Sequence, residues 1–82
     1  MEIMTAQPSL FGRRVRLVRQ RQGLSQQRLA VKAGIGYSNL WRLERGVRQD
    51  TSLAVAVRLA QALRVSLDFL AGVYELEDQP PP

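Results

Sequence analysis

Apolar residues recur along this chain at three- and four-residue intervals, in short blocks separated by glycine and small polar residues. That periodicity predicts amphipathic helices. Ser9 stands as a cap before a first helix of about 9–22, in which Phe11, Val15 and Val18 share a face while Arg13, Arg14, Arg16 and Arg21 occupy the others. Gly23 supplies a left-handed stop. Ser25 is a good N-cap for a second helix of about 26–33, ended by Gly34, and Ile35-Gly36 leads into a third at 37–45, closed by Gly46. The polar stretch 47–52 reads as a loop, with Asp50 or Thr51 as the next cap. A fourth helix, about 52–63, is apolar almost all round (Leu53, Val55, Ala56, Val57, Leu59, Ala60, Ala62, Leu63), the pattern of a helix buried on more than one side. Ser66 caps a short fifth helix through about Ala71, and Gly72 stops it. Residues 1–8 read as a flexible amino-terminal arm. Residues 73–82 read as an acidic, proline-rich tail, whose Gln79-Pro80-Pro81-Pro82 cannot continue a helix. Nothing in 9–72 has the alternation of a strand, so the expected architecture is all-α, five short helices around one core.

Composition narrows the chemistry. At 82 residues the chain holds one small core, and no further sensor or catalytic domain is expected beside it. With no cysteine and no histidine, it has no disulfide, no thiol nucleophile, no imidazole acid–base pair and no Cys/His zinc site. With no Gly-rich phosphate loop and no carboxylate cluster in the helical body, an enzyme is the poorest fit, and neither metal nor cofactor is expected. Residues 1–12 lack the basic start and apolar stretch of a secretory signal. The longest uninterrupted apolar run, Leu53 to Val57, is five residues, against roughly 20 for a membrane span. The expectation is a soluble, cytoplasmic protein without membrane contact.

Charge adds a partner. All 12 basic residues lie between Arg13 and Arg64, and within 9–72 only Glu44, Asp50 and Asp68 are acidic, so that body carries a net +9. Eleven of the twelve are arginine, whose planar fork pairs bidentately with phosphate or guanine. A compact arginine-rich body suits a polyanion, although a solvated surface in an arginine-biased composition has the same charge.

The segment Gln26–Arg45, QQRLAVKAGIGYSNLWRLER, has the spacing of a helix-turn-helix. Two helices crossing steeply bring their backbones together near the middle of the first, where only a small residue fits, and Ala30 stands there. The tight connection needs a residue tolerant of positive φ, and Gly34 follows four residues later. Leu29, Ala33, Ile35, Leu40 and Leu43 fall where inward side chains must plug the angle between the helices. A generic helix–glycine–helix hairpin would meet only some of these demands.

On these residues, together with FGRRVRLVRQRQGLSQQRLA, AGI, the LERG ending of the third helix and VSLDFL after the fourth, the chain resembles the phage repressor/Cro-type, XRE-like helix-turn-helix family from about Leu10 to Gly72. The resemblance implies a compact five-helix, lambda-repressor-like DNA-binding domain whose third helix enters the major groove. Leu40 and Leu43 point inward, so the opposite face carries Ser38, Arg42 and Arg45, with Tyr37 and Trp41 alongside. Tyr37, Ser38 and Arg42 are the candidates for base edges, Arg42 through a bidentate contact to guanine. Tyr37 suits either a thymine methyl or a phosphate. In similar proteins the residue at Gln26 bonds a DNA phosphate. Gln27, Arg28, Asn39 and Arg45 are further candidates for contact with the nucleic acid, chiefly its backbone. Arg19 and Glu44 match a pair that bridges the first and third helices in similar repressors. Trp41 stands where relatives often carry a small or polar residue. It would pack on the DNA backbone, on a partner subunit, or across Arg45 or Tyr37.

Three positions depart from the family pattern. Gly36 replaces the usual Ser or Thr cap of the recognition helix, Arg64 replaces the usual glycine between the fourth and fifth helices, and the loop 47–52 lacks its usual proline. The fifth helix and the residues after it hold more apolar groups than so small a body easily buries. Phe69, Leu70, Val73 and Tyr74 are therefore candidates for a twofold dimer interface. The expected function is a sequence-specific regulator of transcription, most simply a repressor, bound to double-stranded DNA as a homodimer on a palindromic operator. The alternatives are an antitoxin that uses the same fold to bind both operator and a toxin or other protein partner, and a nucleic-acid binder without sequence preference.

Overall fold

The computed structural model describes residues 9–47 and 51–72. These residues form five α-helices, α1 (Leu10–Arg21), α2 (Gln26–Ala33), α3 (Tyr37–Arg45), α4 (Leu53–Leu63) and α5 (Leu67–Ala71). The expected arm 1–8 and tail 73–82, and with them Val73 and Tyr74, lie outside the described residues, as does Asp50.

Four of the five helices begin in the same way. The hydroxyls of Ser9, Ser25, Ser52 and Ser66 accept the backbone N–H of Gly12, Arg28, Val55 and Phe69 respectively, three residues on, which satisfies a donor that has no partner inside its helix. The cap of α4 is thus Ser52 rather than Asp50 or Thr51, because the helix starts one residue later than its apolar pattern suggested. Only α3 lacks a side-chain cap bond, since Gly36 has no hydroxyl to offer.

The core is one cluster. Val15 and Val18 of α1 meet Leu29, Ala30 and Ala33 of α2, Leu40 and Leu43 of α3, Leu59, Ala60 and Leu63 of α4, and Phe69 and Leu70 of α5. Ala30 is buried as the steep α2–α3 crossing requires, and Gly34 adopts φ 71°, ψ 35° at the turn. α4 packs against α2, α5 and α1, which explains its broad apolar arc. The arc is not complete, however. Leu53 is 72% exposed, and Arg58 and Gln61 face solvent.

Two expectations are corrected by the packing. Phe69 and Leu70 are fully buried. The short α5 exists to insert them beneath α1 and α4, so neither is free to form a dimer surface. Arg14 does not share the solvated faces of α1 with its neighbours. It is buried, its guanidinium donates to the Phe69 carbonyl at 2.6 Å, and its charge lies 4.9 Å from the centre of the Phe69 ring. The carbonyl and the ring face both present negative potential to a cation that has left bulk water.

Two backbone positions set how closely the helices approach. A Cβ on Gly12 would stand 2.5 Å from the Leu43 carbonyl oxygen, so glycine is what lets α1 lie against the end of α3. Arg64, after α4, adopts φ 59°, ψ 41°, the left-handed conformation that disfavours any side chain with a Cβ. The turn keeps this geometry although glycine is absent. The Gln22 amide, which donates to the Leu63 carbonyl at 2.7 Å, holds the end of α4 in place.

Replacing Arg64 by glycine should relieve roughly 1–2 kcal/mol of left-handed strain, less about 0.5–1 kcal/mol of added chain entropy. The net gain of about 0.5–1 kcal/mol should raise the thermal midpoint by several degrees, readable by circular dichroism. Gly12→Ala should do the opposite, losing about 1–3 kcal/mol as α1 and α3 are forced apart.

Candidate nucleic-acid interface

The outward side of α3 follows from its inward side. Leu40 and Leu43 are buried in the core and Glu44 is 1% exposed. One row of the opposite surface holds Ser38 and Arg42, both exposed, and the next holds Tyr37, Trp41 and Arg45 at i, i+4 and i+8. Tyr37 is 45% exposed and Trp41 half-buried. Asn39 is half-buried on the flank of the helix. Trp41 packs within its own helix, with the Arg45 guanidinium 5.0 Å from the centre of its ring.

Beneath this surface lies a polar junction. Arg19 of α1 grips the Glu44 carboxylate with both arms of its fork, Nε to Oε2 at 2.8 Å and Nη2 to Oε1 at 2.9 Å. Its remaining arm, Nη1, donates to the Leu24 carbonyl at 2.9 Å. The Gln26 amide, at the first position of α2, donates to Glu44 Oε1 at 2.9 Å. The Tyr37 hydroxyl donates to Gln26 Oε1 at 3.4 Å, a longer and weaker bond. Gln26 was expected only as a phosphate contact. Here its amide is also oriented by Glu44 on one side and Tyr37 on the other, and its nitrogen carries a second hydrogen beyond the one given to Glu44.

Gln27 and Arg28 are exposed on α2, where they line an open cleft with Leu24, Val31 and Lys32. The Ser25 hydroxyl takes the Arg28 N–H at 3.1 Å; the first two N–H groups of α2 have no acceptor within the helix. The same holds for the start of α3, where Gly36 makes no cap bond and a Cβ there would meet nothing within 4 Å. Both helix starts therefore present partial positive charge on residues neighbouring Tyr37 and Gln26.

The sequence-expected residues divide into two groups. Tyr37, Ser38, Arg42 and Arg45 come together on one exposed face of α3, with Gln26 joined to it through Tyr37. Gln27 and Arg28 stand apart from that face on α2. Gly12 and Arg14 were not anticipated as structural residues. A glycine inside a helix is the signal that would have flagged the first, whereas nothing local separates Arg14 from the other arginines of α1.

Removing the Glu44 carboxylate leaves Arg19, only 11% exposed, facing a buried space without its partner. Glu44→Ala should destabilise the fold by roughly 3 kcal/mol, seen as a lower urea midpoint, with Glu44→Gln falling between the two because it keeps an acceptor for Arg19.

With this geometry in hand, comparison with known proteins gives a consistent result. A family model described as "Helix-turn-helix" matches residues 15–70. The HTH-type transcriptional regulator SlrR of Bacillus subtilis is 38% identical over 58 residues, which are 71% of this chain but 38% of SlrR, so the chain spans well under half of that relative. The crystal structure of the restriction-modification controller protein C.AhdI from Aeromonas hydrophila superposes with a TM-score of 0.70 at 39% identity, covering 74% of this chain and 91% of C.AhdI. That of SinR, a master regulator for biofilm formation from Bacillus subtilis, in complex with DNA, superposes with a TM-score of 0.73 at 31% identity over 74% of this chain and 97% of the SinR chain. No helix among the described residues is long and apolar enough to cross a membrane. The match of the family model over most of the chain, on a fold whose α2–Gly34–α3 unit has the required geometry, makes this protein a member of the helix-turn-helix family of the phage repressor and Cro type.

Proposed function

We propose that the protein is a sequence-specific, double-stranded DNA-binding regulator of transcription that reads the major groove with α3. One observation carries this reading. The single acid of α3, Glu44, is turned inward onto Arg19, which leaves Tyr37, Ser38, Arg42 and Arg45 on an exposed face with no carboxylate among them. A surface so arranged offers donors to phosphate and base edges and no repelling charge. The resemblance to SinR, which has been solved in complex with DNA, supports the same reading.

In this reading Arg42 pairs with guanine O6 and N7, Ser38 and Tyr37 contact neighbouring base edges, and Gln26 gives its second amide hydrogen to a phosphate at the start of α2. Gln27, Arg28, Asn39 and Arg45 add contacts to the backbone. Each base pair read adds about 1–3 kcal/mol of discrimination, whereas specific recognition in a genome needs about 4–10 kcal/mol. With Arg42 the one bidentate reader among three residues, a single α3 reaches only the lower part of that range. Two copies related by a twofold axis double the readout on a palindromic operator with half-sites about one helical turn, ~34 Å, apart. With Phe69 and Leu70 committed to the core, the dimer contact must be made by other residues. Occupying a promoter in this way represses it by occlusion.

Selection of bound fragments from a random duplex library at near-physiological salt tests the proposal. An enriched inverted repeat is expected. Binding without any enriched motif would overturn it in favour of a non-specific nucleic-acid binder. On the selected site, Arg42→Ala should relax preference at one base pair per half-site with a loss of about 1–3 kcal/mol, whereas Gln26→Ala should weaken all duplexes alike.

A further inference from the structure

We infer that Trp41 is a positioning residue for Arg45, holding its guanidinium in place for a phosphate at the carboxy-terminal end of α3; this rests on the proposed DNA interface. Trp41 and Arg45 are one helical turn apart in the same row, and the Arg45 charge lies over the Trp41 ring, 5.0 Å from its centre. The ring itself is held, half-buried, on a helix anchored by Leu40, Leu43 and Glu44. Arg45, by contrast, is exposed and stands in the last turn of the helix. An exposed arginine has about 2 kcal/mol of rotamer entropy to lose on contact. Stacking on an indole face removes part of that freedom before any ligand arrives, and the indole is the strongest aromatic partner for a cation. Preorganisation of this kind lowers the entropic cost of ordering the side chain when it binds. A stacked guanidinium also keeps its edge N–H groups available, because the ring engages its flat face and leaves the in-plane donors for phosphate oxygens.

The arrangement assigns the two outward rows of α3 different tasks. Ser38 and Arg42 read bases. Along the adjacent row Tyr37, besides its proposed base contact, supports Gln26 at one end through its hydroxyl, and the Trp41 ring supports Arg45 at the other, so that each aromatic side chain orients a backbone-contacting one. A large aromatic at position 41 thus has a function that a small or polar residue there would not supply.

The test uses the full chain, with two measurements. Trp41 is the only tryptophan, so its fluorescence in the free protein reports the stack directly. Arg45→Ala should change the emission intensity, and an unchanged spectrum would overturn the inference. Duplex titrations over a range of salt then separate positioning from packing. Trp41→Leu should weaken binding by roughly two- to tenfold while leaving the salt slope unaltered, since Arg45 still reaches its phosphate. Trp41→Phe, which retains a ring face, should recover most of the loss. Arg45→Ala should flatten the slope by about one unit, and adding Trp41→Leu to it should have no further effect. Wild-type affinity in Trp41→Leu, or an equal loss in the Arg45→Ala background, would refute the positioning role while leaving the DNA interface standing. If the wild-type protein binds no duplex at any salt, the interface reading fails and the inference fails with it.

Discussion

A single buried carboxylate holds the presented surface together. Glu44 sits at the end of α3 and receives two arms of the Arg19 fork from α1 and the amide of Gln26 from α2. Helices of eight and nine residues are too short to persist in water on their own, so their mutual angle is set by what they touch. Leu40 and Leu43 turn one side of α3 toward the core but leave its finer rotation about its axis loosely set, because apolar contact is not directional. The charged hydrogen bonds are directional, and they fix it. Arg19 also binds the Leu24 carbonyl in the connection between α1 and α2. Three elements are thereby referred to one pair of oxygen atoms.

That junction works only because the backbones come close. At Gly12, α1 approaches the Leu43 carbonyl more nearly than any side chain would permit, and this brings Arg19, two turns further along α1, within reach of Glu44. Ala30 performs the same service where α2 crosses α3. Small residues set the distances, and the ion pair then sets the orientation. The outward face of α3 is the consequence of both.

The arginines illustrate how charge is divided between structure and surface. Net charge treats them alike, yet Arg14 lies beneath Phe69, Arg19 is spent on Glu44, and Arg58 donates to the Gly34 carbonyl at the turn. Arg42 and Arg45 are presented outward on α3. The single acid of that helix is withdrawn into the ion pair, so the interface is more positive than the count of charges along α3 suggests. Local arrangement, rather than the total of +5, makes this surface suitable for a polyanion.

Much of this was legible in the chain itself. Helix limits followed from period-3.6 apolar spacing, from serines suited to capping at 9, 25 and 66 and from glycines that tolerate positive φ, and α2 and α3 lie where those local signals put them. The helix-turn-helix was readable because its demands are steric and local: a small residue at 30, a glycine at 34, apolar plugs between. Tertiary structure decided what depends on residues distant in sequence. It buried Phe69 and Leu70, which an exposed-patch argument had offered to a dimer, because α5 folds back against α1 across more than fifty residues of chain. It distinguished Arg14 from the other arginines of α1 by placing a carbonyl and a ring above it. It made Gln26, expected only as a phosphate contact, part of the Glu44 junction, and it chose Arg45 as the partner of Trp41. Patterns within one helical turn are encoded by propensity and sterics, whereas the partner of a charge or an aromatic ring is settled only when the whole chain has packed.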